Sequence, residues 1–477
     1  LTGFGPLPVP AIARALALPA STVAAALVRL ESEGYVMRGR FSAGAAQEQW
    51  CERHLLARIH RYTVRRLRRE IEPVERADFM RFLFQWQHLT PDTRGEGRDA
   101  LAAIVDQLEG FEAAASAWEE EILPARLKDY SVTAIDELCR SGKVVWTRLG
   151  GRLSVRPAQH GASTPVRTTP IVLLPRRELA AWHALGDPSI EPELSARAQR
   201  VHDALTLHGA MFFDELLGDT HLLRVELETA LGELVAAGLV NADSFAGLRA
   251  LLTPAATRQS ARRRAGRHLR GALIGGMDDA GRWALVRRPA RGESGSGTEN
   301  EAEKNAGGAT LRHGISASHA AEPEVLEHIA MTLLRRYGVV CWLLLEREAA
   351  WLPRWRDLLR VLQRLEARGE VRGGRFVNGI SGEQFALPEA IPVLREVRKQ
   401  RQSGTSQTQM VCVCGADPLN LVGTILPGDK IPALAGNRVL FRDGVPIATL
   451  IAGKFEYSTE LDALAKEDAR LRLARRY

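Results

Sequence analysis

The residues of this sequence whose types and spacing carry chemistry fall into three groups. Gln85 and Gln87 flank Trp86, placing two amides two residues apart in an apolar stretch. Asp417 stands beside Pro418 in a β-rich segment, "GADPLNLVG". The third group is arginine: Arg53, Arg58, Arg61, Arg65, Arg66, Arg68 and Arg69 crowd one segment, Arg38 and Arg40 another, and Arg372 and Arg375 a third. A guanidinium recognises phosphate through paired hydrogen bonds. An amide or carboxylate orients water or steadies a developing positive charge.

Each group has a plainer reading. On an α-helix, residues two apart diverge by about 200°, so Gln85 and Gln87 address one pocket only from extended or loop backbone. Phe79, Phe82, Leu83 and Trp86 are spaced for the buried face of a helix, which makes the glutamines two polar residues at its end. An Asp beside Pro is ordinarily a turn or cap residue, and Asp443, in "FRDGVP", belongs to a hairpin turn. Cys412 and Cys414 share one face of a strand, but zinc requires about four ligands and no further Cys or His cluster is near in sequence. His54, His60 and His88 are not spaced for ligation. Neither a metal nor a cofactor is expected. An arginine run on a helix is, in the bland case, a solvated face.

The elements that must position these residues recur. Aligned on Gly34, Gly142, Gly238 and Gly369, the chain has Leu27, Ile135, Leu231 and Leu362 seven residues earlier, and Leu30, Leu138, Leu234 and Leu365 four earlier. Val36, Val144, Val240 and Val371 follow two residues later; Phe41, Leu149, Phe245 and Phe376 follow seven later. An apolar stripe three apart running into glycine is a buried helix with a left-handed cap, and the apolar positions beyond it suit a hairpin on the same core. A second glycine precedes each unit, at Gly3, Gly110, Gly209 and Gly338. A helix, a short helix, a longer helix and a hairpin make a winged helix, the helix-turn-helix variant whose last helix enters a major groove. Four in register are hard to obtain by chance. The first copy is expected to lack its first helix, as though the chain were a fragment. Copy three's last helix, "RVELETALGELVAA", is acidic and suits assembly; copies one and four are the better phosphate-facing candidates.

The totals fit several domains: 477 residues, 45% hydrophobic. Lys+Arg exceed Asp+Glu by 64 to 57, a formal charge of +7, which permits a nucleic-acid partner without requiring one. Five cysteines make no disulfide framework. No apolar run reaches the roughly 20 residues of a membrane span, and no signal peptide opens the chain. A cytoplasmic, nucleoid-associated location without membrane contact is expected.

The stretches "WCERHLLARIHRYTVRRLRREIEPV", "ADFMRFLFQWQHL", "LLRRYGVV", "RLEARGEVRGGRFV", "GEQFALPEA" and "ADPLNLVG" resemble the C-terminal region of bacterial large helicase-related proteins, over nearly the whole chain. The resemblance implies a DNA-repair helicase whose ATPase core lies N-terminal to this segment. Nothing like G-x-x-x-x-G-K-[ST] occurs here, so no ATPase site is expected within it. The region is also similar to AlkZ/YcaQ-type winged-helix DNA glycosylases, which pair tandem winged helices with a β-barrel and carry a Gln-x-Gln or Gln-x-Asp motif. The resemblance therefore implies a metal-independent glycosylase acting on uracil or an alkylated base, with Gln85 and Gln87 matching the motif, and oligomeric assembly; Asp417 is a further catalytic candidate from its own position in the β-rich stretch. Whether the chain is an enzyme stays open on its residues.

The expected fold is α+β, mainly α: tandem winged helices plus a small C-terminal β-barrel or β-sheet domain. The expected divisions are winged helix one at 1–43, a basic helical segment broken at Pro73 at 44–96, winged helix two at 97–157 and a connector with β segments at 158–194. Winged helix three follows at 195–257, a basic segment and strand at 258–288, a flexible insertion at 289–322, winged helix four at 323–388 and the β-rich domain at 389–477. Strands near 152–156, 170–174 and 282–287 are candidates to join the C-terminal sheet. The expected function is a DNA-binding and assembly region, with DNA, the helicase core of the same polypeptide and further copies of the chain as partners. Arg38, Arg40, Arg58, Arg61, Arg65, Arg66, Arg372 and Arg375 are the expected phosphate contacts. A purely structural oligomerisation module is the alternative.

Overall fold

The helix–glycine–strand skeleton recurs in space as it does in sequence. The structure, a computed structural model, describes residues 3–149 (except 43 and 70), 169–185, 193–252, 277, 280–286, 322–403 and 408–475. The basic run 258–271, the Gly/Ser-rich segment 289–321 and the strand expected near 152–156 lie outside the described residues.

The chain divides into two compact units, Leu1–Pro73 with Gly373–Arg375, and Val74–Arg372 with Phe376–Tyr477. The first has two helices, a two-stranded wing and an appended helix. Its elements are α1 (Val9–Leu16), α2 (Ala20–Ser32), β1 (Val36–Gly39), β2 (Gln49–Glu52) and α3 (Arg53–Arg69). β1 and β2 form an antiparallel wing in the register Met37↔Cys51, and a bridge Leu7↔Trp50 supplies its third edge. β2 lies beyond residue 43, so this wing closes later than the expected division. Ile12, Val23, Leu27, Val36 and Trp50 make its modest core.

The second unit holds the other three copies, except that Gly373–Arg375, in the wing of the last, group with the first unit. Copy two runs through α4 (Arg76–Trp86), which precedes it, α5 (Gly97–Gln107), β3 (Ala113–Ala114), a helical stretch ending at Leu123–Arg126, the helix Val132–Arg140, β4 (Val144–Thr147) and β5 (Pro170–Pro175). Copy three comprises Ala196–His208, β6 (Met211–Phe212), Phe213–Thr220, Arg224–Ala236, β7 (Val240–Ala242) and β8 (Arg282–Leu285). Copy four comprises Pro323–Tyr337, β9 (Val339–Val340), Trp342–Glu346, Trp355–Arg368, β10 (Arg372–Gly374) and β11 (Gln384–Ala386). In copies two and three the strand after the first helix pairs with the last strand of the wing, giving the orders β3-β5-β4 and β6-β8-β7. The strands expected near 170–174 and 282–287 therefore belong to these wings and not to the C-terminal sheet: their partners are the valines two residues after the capping glycines, in Val144↔Pro175 and Val240↔Leu285.

The recurring apolar positions are the cores. Ile135, Leu231 and Leu362 are buried, as are Val144, Val240 and Val371. Burying each such side chain contributes about 1.5–3 kcal/mol. Copies two and three share one continuous core, closed by Trp118, Trp146 and Trp283. Gly34, Gly142, Gly238, Gly369, Gly110, Gly209 and Gly338 have positive φ, as capping glycines should; Gly3 does not. At Gly110 (φ 72°) the need is double, because a Cβ there would lie 2.1 Å from the Trp182 ring.

After the helix Ala390–Gln402 the chain forms an antiparallel meander of β12 (Met410–Cys414), β13 (Arg438–Arg442), β14 (Val445–Ile451) and β15 (Lys454–Tyr457). Among the described residues β12 and β15 do not pair, so this is an open sheet and not the barrel. Asp443 (φ 50°) and Gly444 (φ 80°) turn the β13–β14 hairpin, and Ala463–Ala474 packs on the sheet through Ala469 and Leu473. "NLVGTIL" is a buried turn with one bridge, Val422↔Leu426, and not a strand. No single helix among the described residues is long and apolar enough to cross a membrane.

Candidate functional site

In the first unit, α3 follows the wing directly. Its N-terminus is capped by Glu52, whose oxygens accept from the backbone N–H of His54 at 2.8 Å and Leu55 at 2.6 Å. The His54 bond above all holds this carboxyl below its usual range. Leu55, Leu56, Ile59, Val64 and Leu67 are half-buried, whereas Arg58, Arg61, Arg65 and Arg66 are exposed. Tyr62, 67% exposed, lies among them. This is a two-faced helix whose outward side is cationic. In the wing, Arg40 is exposed. Arg38 is partly committed: it lies 5.6 Å over the Trp50 ring and within 3.5 Å of Glu31 and 3.8 Å of Glu48. Arg372 is half-buried and Arg375 exposed. The arginines of the helix Trp355–Arg368 are less available than their number promises. Arg356 and Arg360 face Asp357, at 3.6 and 3.8 Å, and Arg368 pairs with Glu327 and Glu370.

The second unit brings two of the three catalytic candidates together. Gln85 lies in the last turn of α4, half-exposed, and Gln87 is the residue just past the helix, fully buried. The helix separates them, as the spacing argument requires. The Gln87 Nε2 donates to Arg336 O at 2.8 Å, and its Oε1 accepts from Arg126 Nη2 at 2.8 Å. The same guanidinium grips Asp417 with two bonds, Nη1 to Oδ2 at 2.6 Å and Nη2 to Oδ1 at 2.9 Å. Asp417 Oδ1 also accepts the Leu419 N–H at 2.9 Å. Gln87, Arg126 and Asp417 are all 1% exposed or less. The cluster ties α4, copy two and the start of the β-rich domain by charge-assisted bonds.

Arg126 was not legible as a site residue. Its signal is its place at the end of a helical stretch interrupted by a π turn, Trp118–Ile122. Such turns mark positions where a helix is bent to present particular side chains. This one also presents Glu121 to Arg438, at 2.5 Å, and Glu119 to Arg249, at 2.6 Å. Burial pushes the Glu119 carboxyl up, with the Arg249 bonds opposing it.

Glu109, Glu178 and His328 bring three potential metal-ligand atoms within 4.8 Å of one another. Glu109 Oε1 is already engaged by Trp182 Nε1 at 2.6 Å and by His328 Nε2 at 2.6 Å. Burial raises the Glu109 carboxyl, but these bonds outweigh it and hold the group below its usual range. The arrangement is that of an imidazole bridging two acids.

Residues 74–176 and 319–406 match winged-helix domains of the large helicase-related protein. A Mycolicibacterium smegmatis protein described as "Lhr helicase/ probable uracil glycosylase" is 30% identical over 427 residues, 86% of this chain and 26% of its own length. An Escherichia coli protein described as "Lhr helicase/uracil glycosylase" is 26% identical over 455 residues, 88% of this chain and 26% of its own. This chain thus spans about a quarter of the length of these relatives. It carries two winged-helix domains of the large helicase-related family, consistent with a C-terminal region of such a protein.

Proposed function

We propose that this chain, carrying winged-helix domains of the large helicase-related family, is the DNA-engaging and assembly region of a longer helicase. The observation that carries the reading is α3: exposed Arg58, Arg61, Arg65 and Arg66 around Tyr62, on a helix whose other side is apolar. Such a face neutralises phosphates, releases counterions and binds with steep salt dependence. Arg40 at the wing and Arg375 are further candidate phosphate contacts in the same unit, and Arg372 is a candidate in the second unit. The helicase core would precede this chain in the same polypeptide. Copy three fits assembly better than groove reading: Leu223 and Val225 at the start of its last helix are 72% and 67% exposed, and Leu207 on its first helix is 78% exposed. Fluorescence anisotropy with labelled DNA tests the reading; no binding at low salt would refute it.

A second reading, excision of uracil or an alkylated base, is supported by the descriptions of both relatives. In it Gln87 and Asp417 serve as positioning residues that fix Arg126, and through it the junction between α4 and the β-rich domain. Incubation with a uracil-containing strand, followed by alkaline cleavage at abasic sites, tests it. An intact strand would contradict it.

A further inference from the structure

Three segments of the second unit bring Glu109, Glu178 and His328 to one place: the turn after α5, the 3-10 turn Arg176–Glu178 after β5, and the helix Pro323–Tyr337 of copy four. One ligand-type atom from each lies within 4.8 Å of the other two. The groups that hold them come from outside the set. Trp182 Nε1 donates to Glu109 Oε1 at 2.6 Å, and the same ring stands edge-on to His328, 6.2 Å away at 80°. Gly110 leaves room for that ring. Arg177 Nε donates to Glu178 Oε1 at 2.9 Å, while Glu178 Oε2 faces His328 Nδ1 at 3.7 Å. That separation is too long for a hydrogen bond. The Glu109 side chain is 1% exposed, His328 19% and Glu178 27%, so the set runs from a buried floor to a rim that solvent reaches. His328 also lines a cleft of about 470 Å³ with Glu324, Glu327, Met331 and Arg335.

One imidazole gives one nitrogen to one ion, and the two nitrogens of His328 differ. Nε2 is joined to Glu109 Oε1 at 2.6 Å, a carboxylate that Trp182 also fixes. A carboxylate on the far nitrogen sets the tautomer and aim of a metal-binding histidine. Nδ1 is then the ligand, and Glu178 Oε2 is its neighbour. Zinc bonds of about 2.0–2.2 Å set adjacent ligand atoms roughly 3.3–3.5 Å apart in a tetrahedron, close to the 3.7 Å between these two atoms. Glu324 stands one turn before His328 on the same helix and lines the same cleft. Helical side chains lean toward the N-terminus, which lays His328 over that turn, and residues four apart are the spacing by which a helix chelates zinc. Glu327 is held instead by Arg368 at 2.5 Å. Two carboxylates match the charge of a divalent ion, and the imidazole selects zinc over magnesium or calcium. We infer that His328 Nδ1, Glu178 and Glu324 bind one zinc ion, that Glu109 positions the imidazole, and that the cleft brings water to the fourth place. Such an ion ties copy two to copy four, because Glu178 belongs to the turn after β5 and the other two ligands to copy four's first helix.

The inference is independent of DNA binding and is tested without DNA. The full chain, freed of metal with a chelator, is titrated with zinc by calorimetry. Glu178→Gln and Glu324→Gln are compared with it, because both keep the side-chain shape at sites that solvent reaches. The wild type should bind one zinc ion per chain, and each variant should bind it at least about tenfold more weakly. Magnesium should not compete. Zinc should raise the urea midpoint followed by tryptophan fluorescence in the wild type but in neither variant, while all three proteins share one midpoint in chelator. X-ray absorption at the zinc edge should show nitrogen and oxygen neighbours at about 2.0–2.2 Å. A sulfur neighbour near roughly 2.3 Å would assign the ion to cysteine and overturn the inference. Failure of the wild type to bind zinc, or equal binding by all three proteins, would also overturn it.

Discussion

Arg126→Met removes the centre of the buried cluster without changing its volume much. The guanidinium donates to both Asp417 oxygens at 2.6 and 2.9 Å, to Gln87 Oε1 at 2.8 Å and to Ile122 O at 3.0 Å. Without it the Asp417 carboxylate stays buried with the Leu419 N–H as its remaining donor among these contacts. Breaking a buried pair from one side costs about 3–5 kcal/mol, and stranding the Gln87 acceptor adds about 1–3 kcal/mol. One guanidinium serves both, so the two costs do not fully add, and a loss of about 4–6 kcal/mol is expected. Adding Asp417→Asn removes the stranded charge but keeps an acceptor for Leu419, and should recover about 2–3 kcal/mol of that loss. The assay is urea unfolding followed by fluorescence of Trp118, Trp146, Trp182 and Trp283, all buried in this unit. Because the chain has two units, the comparison is made within the transition these side chains report. An Arg126→Met loss under about 1 kcal/mol, or a double variant no better than the single one, would refute the reasoning.

Gly444→Ala should cost at least about 2 kcal/mol in the same unfolding assay, since φ is 80° and the new Cβ would meet the Ala77 carbonyl oxygen at 2.0 Å; a neutral result would contradict the described hairpin. Arg38→Ala should lower the stability of the first unit, measured by protection of its amides from hydrogen exchange, by about 0.5–1 kcal/mol through loss of its contact with Trp50, whereas Arg40→Ala should leave stability unchanged and weaken DNA binding. Glu112 has a folded-state pKa raised by burial. Its contribution to stability is therefore complete below the ordinary carboxylate pKa of about 4.3 and is lost as pH rises through the folded value. Glu112→Gln should flatten that decline in urea titrations run upward in pH, and an unchanged pH profile would show that the carboxyl is not desolvated. Glu109 has the opposite sign: held low mainly by His328 and Trp182 against its burial, it supports stability above the ordinary range and loses that support as pH falls through its depressed value.

Much of the architecture was legible because a winged helix writes its periodicity twice, in leucines three apart before a glycine and in the valine two residues after it. Those residues are buried, Leu30 partly so, and the capping glycines have positive φ. The pairing of β5 and β8 was not legible, since a strand far along the chain from β4 or β7 carries no local mark of its partner. The same ambiguity left barrel and open sheet both in view for the C-terminal domain, and the strand pairing shows the open sheet. For the candidate site, the angular argument that separated Gln85 from Gln87 follows from helix geometry alone and agrees with their different burial. That Gln87 and Asp417 meet, 330 residues apart in sequence by subtraction (417 − 87), depends on Arg126, which looks in sequence like any arginine at a helix end. Exposure of the α3 arginines followed from their alternation with the apolar positions Leu55, Leu56, Ile59, Tyr62 and Leu67, although Tyr62 proves exposed on the arginine side and does not join the apolar face. The pairing of Arg368 with Glu327 did not, because Glu327 comes from a different helix.

The central claim is that the arginine face of α3 engages DNA phosphates. The most direct measurement is the slope of log affinity against log salt concentration, for the wild type and for Arg58→Ala/Arg61→Ala/Arg65→Ala. Each phosphate contact contributes about 0.9 to that slope on duplex DNA, so the triple variant should show a slope shallower by about 2–3 with its urea midpoint unchanged. Equal slopes for the two proteins, or binding insensitive to salt, would contradict the account.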